Sequence, residues 1–301
     1  MTAMNRRDAT KSAAVIAAAA LVAGSKVAMA DTPDAPRAVA RPSFVETRDG
    51  ASLFYNDWGA GKPVVFTHAW GLNADIWEYQ LTELADQGLR CVAYDRRGHG
   101  RSTDPGRGYD FDTLADDLAA VIEHLDLRDA TLVGFSMGNG EAARYLSRHG
   151  SGRIARLVMV STMGPQTDGS LWGGFIAGLK RDRAAFFADN VAGFTGNLPS
   201  VSPALAQWVV AQFMRASPKA TIECMRANMT GDLRADFRAV ALPTLIIHGG
   251  KDLVNPIDKT ARKTAEAIAG SELRVYGDAP HGLVITHREQ LTRDLLAFIR
   301  S

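Results

Sequence analysis

A chain of 301 residues that is 46% hydrophobic is long enough to bury one large core, and a single α/β domain reaches this size undivided. A formal charge of +1, from 34 basic and 33 acidic residues, offers nothing to attract nucleic acid. The two cysteines, Cys91 in LRCVAYD and Cys224 in TIECMR, lack the spacing of a disulfide framework or a zinc site and read as small buried hydrophobes.

In chain order, residues 1–30 read as an export signal. MNRRDATK is followed by the alanine-rich apolar run Ala13 to Gly24, too short for the roughly 20 residues a bilayer-spanning helix requires. Ala28-Met29-Ala30 fits a small-residue cleavage pattern, so cleavage before Asp31 is expected, with no stable membrane anchor afterwards. Arg6-Arg7, with Lys11 and Lys26 behind them, resembles the twin-arginine type of signal and implies a periplasmic or secreted protein. Cleavage takes four basic residues and one acidic one, moving the formal charge from +1 to −2. Residues 31–42, DTPDAPRAVARP, read as a flexible lead-in.

The rest alternates short β-rich runs with helical stretches. Strands are predicted at 52–58, 63–68, 90–95, 130–136, 156–161, 244–249 and 272–277, several of them nearly continuously apolar, as strands covered on both faces should be. Over 111–127, Leu114, Leu118, Val121, Ile122 and Leu125 share one helical face with carboxylates opposite. The alternation implies a mostly parallel twisted sheet with helices on both faces, built from residues 43–163 and 241–301. Residues 164–240 read as a helical insertion with no clear strand. Most of its large apolar residues, Trp172, Phe175, Phe186, Phe187, Phe194, Trp208, Phe213 and Met214, are expected to fill its own core and a minority to line a pocket, making the insertion a lid.

The stretch LVGFSMGNG places Ser136 between two glycines after an apolar strand and before the helix-forming EAARYLSRH. That context makes a nucleophile elbow, a sharp turn that lifts the Ser oxygen clear of the backbone at a helix N-terminus. A serine hydroxyl needs a base, and the base needs an orienting acid, in the chain order Ser, Asp or Glu, His. LIIHGGKDLVNP presents Asp252 after a buried strand, and LRVYGDAPHGL presents His281 after the last one. His124 and His287 lie in helical patterns, His149 at a helix end, His99 in the RRGHGRS loop and His248 at a strand end, so His281 is the candidate base. Asp278 competes with Asp252 as the acid, but it lies on the same loop as His281, three residues before it. Oxyanion donors are expected from the backbone N–H of Met137 and, in VVFTHAWGLNADIW, of Trp70, with His68 bracing that loop.

The segments YNDWGAGKPVVFTHAWGLNADIW, VAYDRRGHGRS, DLAAVIEHLDLRDATLVGFSMGNGEAARYLSRHG and HGGKDLVNP together resemble the cofactor-free haloperoxidase and aryl esterase branch of the α/β-hydrolases. The resemblance implies Ser136, Asp252 and His281 as catalytic residues, Trp70 and Met137 as oxyanion donors, and no cofactor or metal. It implies hydrolysis of small or aromatic esters or, as the alternative, formation of peracids from a carboxylic acid and hydrogen peroxide. Carbon-carbon or lactone hydrolysis and a non-catalytic ligand-binding role are further alternatives. The sequence names no substrate-binding residue and no oligomeric state. Two positions depart from the family pattern: Gly71 stands where a proline often follows the tryptophan, and Asn139 where a third glycine is frequent. A proline would fix the oxyanion loop, so Gly71→Pro is expected to favour perhydrolysis.

Overall fold

The computed structural model describes residues 43–165, 169 and 173–301, so the expected export signal (residues 1–30), the expected lead-in (31–42) and Trp172 lie outside the described residues. Eight strands form one sheet in the order β1-β2-β4-β3-β5-β6-β7-β8. They are β1 (Phe44–Glu46), β2 (Ser52–Trp58), β3 (Pro63–Thr67), β4 (Arg90–Tyr94), β5 (Ala130–Phe135), β6 (Ile154–Val160), β7 (Thr244–Gly249) and β8 (Glu272–Tyr276). β2 runs antiparallel to both β1 and β4; every other neighbouring pair is parallel. The predicted strands are present, those at 52–58 and 244–249 with the expected bounds and the others with one end or both moved by one or two residues, and β1 adds an edge strand the sequence did not announce.

Side chains alternate between two cores. On one face Val65, Val92, Leu132, Leu157 and Ile246 pack beneath α2 (Phe111–His124) and α3 (Met137–His149). On the other face Val64, Phe66, Val133, Val158 and Ile247 meet α1 (Glu78–Asp86) and the C-terminal α11 (Arg288–Arg300), through Leu81, Leu84, Leu291 and Leu295. Central strands are covered on both faces, so their hydrophobicity is continuous rather than alternating. α2 ends three residues before its predicted limit, where Asp126 turns to φ 44°.

Among the described residues, five helices stand between β6 and β7: α4 (Phe175–Arg181), α5 (Arg183–Thr195), α6 (Pro203–Met214), α7 (Pro218–Thr230) and α8 (Arg234–Arg238). Ser202 and Ser217 cap α6 and α7, each accepting a backbone N–H in the first turn, and Pro203 and Pro218 occupy first positions where no N–H is needed. α9 (Ala261–Ala267) connects β7 to β8, and α10 (Leu283–Thr286) follows β8.

Candidate active site

β5 delivers its last residue, Phe135, directly to Ser136, which caps α3 with φ 54° and ψ −115°. This is a strained conformation for a non-glycine residue, and it is held from both sides: the Ser136 N–H donates to the Val160 carbonyl at 2.9 Å, and the Ser136 carbonyl accepts the Asn139 N–H at 3.0 Å. Strain of this kind persists only when its surroundings over-determine it.

The structure brings Ser136, His281 and Asp252 together. His281 Nδ1 lies 2.8 Å from Asp252 Oδ2, and its Nε2 lies 3.1 Å from Ser136 Oγ. An ionised carboxylate only accepts, so Nδ1 carries the proton and Nε2 is left to accept from the serine hydroxyl. Asp252 Oδ1 accepts the N–H groups of Val254 at 2.9 Å and Asn255 at 2.8 Å, which satisfies the carboxylate's other side. The His281 ring stands between Phe135, 5.4 Å away, and Phe194 of α5, which meets it edge-on at 5.7 Å. The backbone ties α5 to the same loop, since the Gly282 N–H donates to the Phe194 carbonyl at 2.8 Å.

Asp278 points elsewhere: its side chain is 84% exposed and lies 3.3 Å from His287. His248, set aside as a base because it ends a strand, has its Nε2 3.4 Å from Asp252 Oδ2 and 2.8 Å from the Asn255 carbonyl. Burial holds its pKa below the usual histidine value. His248 is the penultimate residue of β7 and Asp252 stands four residues later, past the turn at Gly249-Gly250, which brings this neighbour to the carboxylate.

The loop expected to supply an oxyanion donor follows β3. Thr67 Oγ1 donates to the Gly138 carbonyl at 3.0 Å, so the loop and the start of α3 are in contact. Met137 is the first residue of α3, where an N–H has no intrahelical acceptor, and Trp70 lines the same cavity as Ser136. The Trp70 indole donates to the Thr221 carbonyl of α7 at 2.8 Å, joining the loop to the insertion. His68 is buried and accepts the Arg96 N–H at 2.9 Å, while the Arg96 guanidinium donates to the His68 carbonyl at 2.9 Å and to Glu141 at 2.7 Å. Burial and the nearby Arg96 charge keep His68 neutral, with a pKa well below the usual value.

Gly71 overturns one expectation. Its φ is +71°, whereas proline is locked near −65°, and a Cβ there would stand 2.9 Å from Phe213. Gly71→Pro therefore cannot rigidify this loop as it stands; it would force a different one.

Ser136 and His281 open onto a cavity of about 280 Å³, a size suited to a small organic molecule. Phe175, Phe186, Phe187, Phe194 and Phe213 line it with Trp70, so more of the insertion's aromatics face the cavity than the expected minority. Among the described lining residues His281 is the sole titratable one, and Asn190, Asn228 and Asn255 supply polar groups. Cys91 and Cys224 are buried away from it as free thiols, and burial pushes each pKa up to about 12.

A family model described as the alpha/beta hydrolase fold matches residues 62–288. The chain belongs to that family, in the branch that holds the non-haem haloperoxidases. It is 42% identical over 270 residues to a non-heme chloroperoxidase of Kitasatospora aureofaciens, covering 84% of this chain and 98% of the relative. A bifunctional esterase/perhydrolase of Acinetobacter calcoaceticus is 37% identical over 275 residues, covering 86% and 99%. Among solved structures, an esterase from Exiguobacterium antarcticum superposes with a TM-score of 0.83 at 33% identity, over 87% of this chain and all of that one. Family and hydrogen-bonded relay together mark the protein as an enzyme of the serine-hydrolase type.

Proposed function

We propose that the protein hydrolyses small or aromatic carboxylic esters through an acyl-enzyme on Ser136. The observation that carries this reading is the relay from Ser136 through His281 to Asp252 at the floor of an aromatic, uncharged cavity. Ser136 Oγ attacks the ester carbonyl carbon as its proton passes to His281 Nε2, and the carbonyl oxygen takes the negative charge. The N–H groups of Met137 and Trp70 hold that charge. The bond to the alcohol oxygen then breaks, and His281 returns the proton to the leaving alcohol. Water repeats the attack on the acyl carbon, giving one proton to His281; the bond from the acyl carbon to Ser136 Oγ then breaks, His281 passes that proton to Oγ, and the carboxylic acid and the free serine hydroxyl are released. Asp252 keeps the imidazole in the required tautomer and stabilises its charged form.

The chloroperoxidase and esterase/perhydrolase relatives favour a second activity at the same site. If hydrogen peroxide rather than water attacks the acyl carbon, the product is a peracid. A panel of chromogenic esters of increasing acyl length, with one lactone, run with and without peroxide, distinguishes these outcomes. Turnover of short and aromatic esters is expected; a folded protein that turns over none of them contradicts the reading.

The helices α4–α8 would act as the substrate-selecting lid, because they supply most of the cavity's aromatic wall. Residues 1–30 would direct export to the periplasm or beyond, on the strength of Arg6-Arg7 and the Ala28-Met29-Ala30 site. Replacing both arginines with lysine should stop accumulation of the mature protein outside the cytoplasm; unchanged accumulation refutes the twin-arginine route.

A further inference from the structure

Asn139, fully buried in the first turn of α3, makes contacts a glycine there could not make. Its Nδ2 donates to the Ser136 carbonyl at 3.0 Å and to the Val160 carbonyl at 2.9 Å. Both partners can only accept, which fixes the amide with its nitrogen towards them. Backbone N–H groups already use the same two carbonyls, from Asn139 to Ser136 and from Ser136 to Val160, so each oxygen accepts two bonds. The elbow makes room for this side chain at Gly134, where a Cβ would stand 2.7 Å from Asn139 Oδ1.

The Ser136 carbonyl and the Met137 N–H belong to one planar trans peptide, so they point in opposite directions and turn together. A donor that fixes the carbonyl therefore also aims the N–H. A second donor on the same oxygen draws amide electron density towards it and strengthens the N–H as a donor. We propose that Asn139 is a positioning residue of the oxyanion site, aiming and polarising the Met137 N–H towards the charge that develops on the substrate carbonyl. This rests on the reading of Ser136 as nucleophile and of Met137 as an oxyanion donor. Asn139 Oδ1 has no hydrogen-bond partner among the described residues, so the side chain carries an unsatisfied buried atom. Its loss should register in the transition state more than in stability.

The test compares the parent with Asn139→Ala and the isosteric Asn139→Asp. It measures kcat and KM for one ester, affinity for a trifluoromethyl ketone, melting temperature and the fraction of sites labelled by a serine-directed phosphonate. The ketone accepts Ser136 Oγ at its carbonyl carbon and leaves an oxyanion facing Met137, whereas the ester's KM reports mostly the neutral ground state. For Asn139→Ala, kcat and ketone affinity are expected to fall together by about tenfold, with KM, melting temperature and labelled fraction nearly unchanged. Asn139→Asp, which cannot donate to the two carbonyls when ionised, should lose at least as much. Unchanged kcat and ketone affinity would overturn the proposal, as would a loss matched by a fall in labelled sites or melting temperature. If the phosphonate labels the parent elsewhere than Ser136, the underlying reading fails. If it labels Ser136 in all three proteins while ketone affinity stays level, only the positioning role fails.

Discussion

Asp252 and Asp278 are both carboxylates on loops beside His281, and geometry separates them. Asp252 is buried, contacts His281 Nδ1 and receives two backbone N–H groups, while Asp278 is exposed and turned to His287. Asp252→Asn should leave the fold intact and lower kcat by as much as about 10⁴, because an amide favours the wrong imidazole tautomer. Asp278→Asn should change kcat little; steady-state kinetics on both variants decides, and the reverse ranking would move the acid. At this scale the sequence was informative where chemistry coincides with a strand end. Ser136, Asp252 and His281 each follow a recognisable apolar run, so strand prediction placed them. Phe194 and the pair Arg96 and Glu141 gave no such signal, because their effect lies in contacts between segments distant in the chain, and Asn139 stood out only as a departure from the family pattern, its bonds to the Ser136 and Val160 carbonyls being visible only in the fold. Gly71 misled for a related reason: its residue type was plain, but the sign of its φ is a property of the folded loop.

Among the elements, the parallel strands were legible because burial on both faces demands continuous apolar runs. β1 was not, since three residues with one buried side chain carry no period. The insertion was legible as helical but not in its facing: Phe187 and Phe213 stack at 4.8 Å, and Phe213 meets Phe194 edge-on at 5.6 Å, forming a wall rather than an isolated core. Hydrogen bonds tie these helices to the core loops, among them those from Gly282 to Phe194, from Trp70 to Thr221, from Ser217 to Gly98 and from Asn73 to Gln212. The cavity wall is thus anchored at both the base loop and the oxyanion loop. Phe213→Leu should enlarge the cavity and shift preference towards bulkier acyl groups by roughly tenfold, the scale of one to three kcal/mol for a small change in pocket volume. The kcat/KM profile across the ester panel checks it; an unshifted profile would remove Phe213 from the acyl pocket.

Across the whole molecule, buried histidines link stability to pH. Burial, reinforced by Arg96, lowers His99 to about 3, and burial also lowers His68 and His248. In the unfolded chain a histidine takes a proton near pH 6.5. Below that pH the unfolded state binds protons that the folded state refuses, so stability present above 6.5 falls as pH drops towards the folded pKa. For His99 the cost should approach about 1.4 kcal/mol per pH unit once the pH is well below 6.5 and still above its folded pKa. His99→Asn keeps an amide donor for the Arg97 carbonyl, which His99 Nδ1 contacts at 2.8 Å, and should remove one histidine's share of the slope. Urea unfolding followed from neutrality to about pH 5 measures that slope, and an unaltered slope would mean that His99 titrates normally in the folded protein.

Catalysis through an acyl-enzyme requires Ser136 to become covalently acylated, which mass spectrometry can observe directly. Parent and Ser136→Ala proteins are mixed with a chromogenic ester, quenched in acid within the first turnovers, digested and mapped. An acyl adduct is expected on the peptide carrying Ser136 in the parent, no adduct there and near-total loss of ester turnover in the variant, and matching circular dichroism for the two. An adduct on another residue, or a folded Ser136→Ala protein that still hydrolyses the ester at the parent's rate, would contradict catalysis through an acyl-enzyme on Ser136.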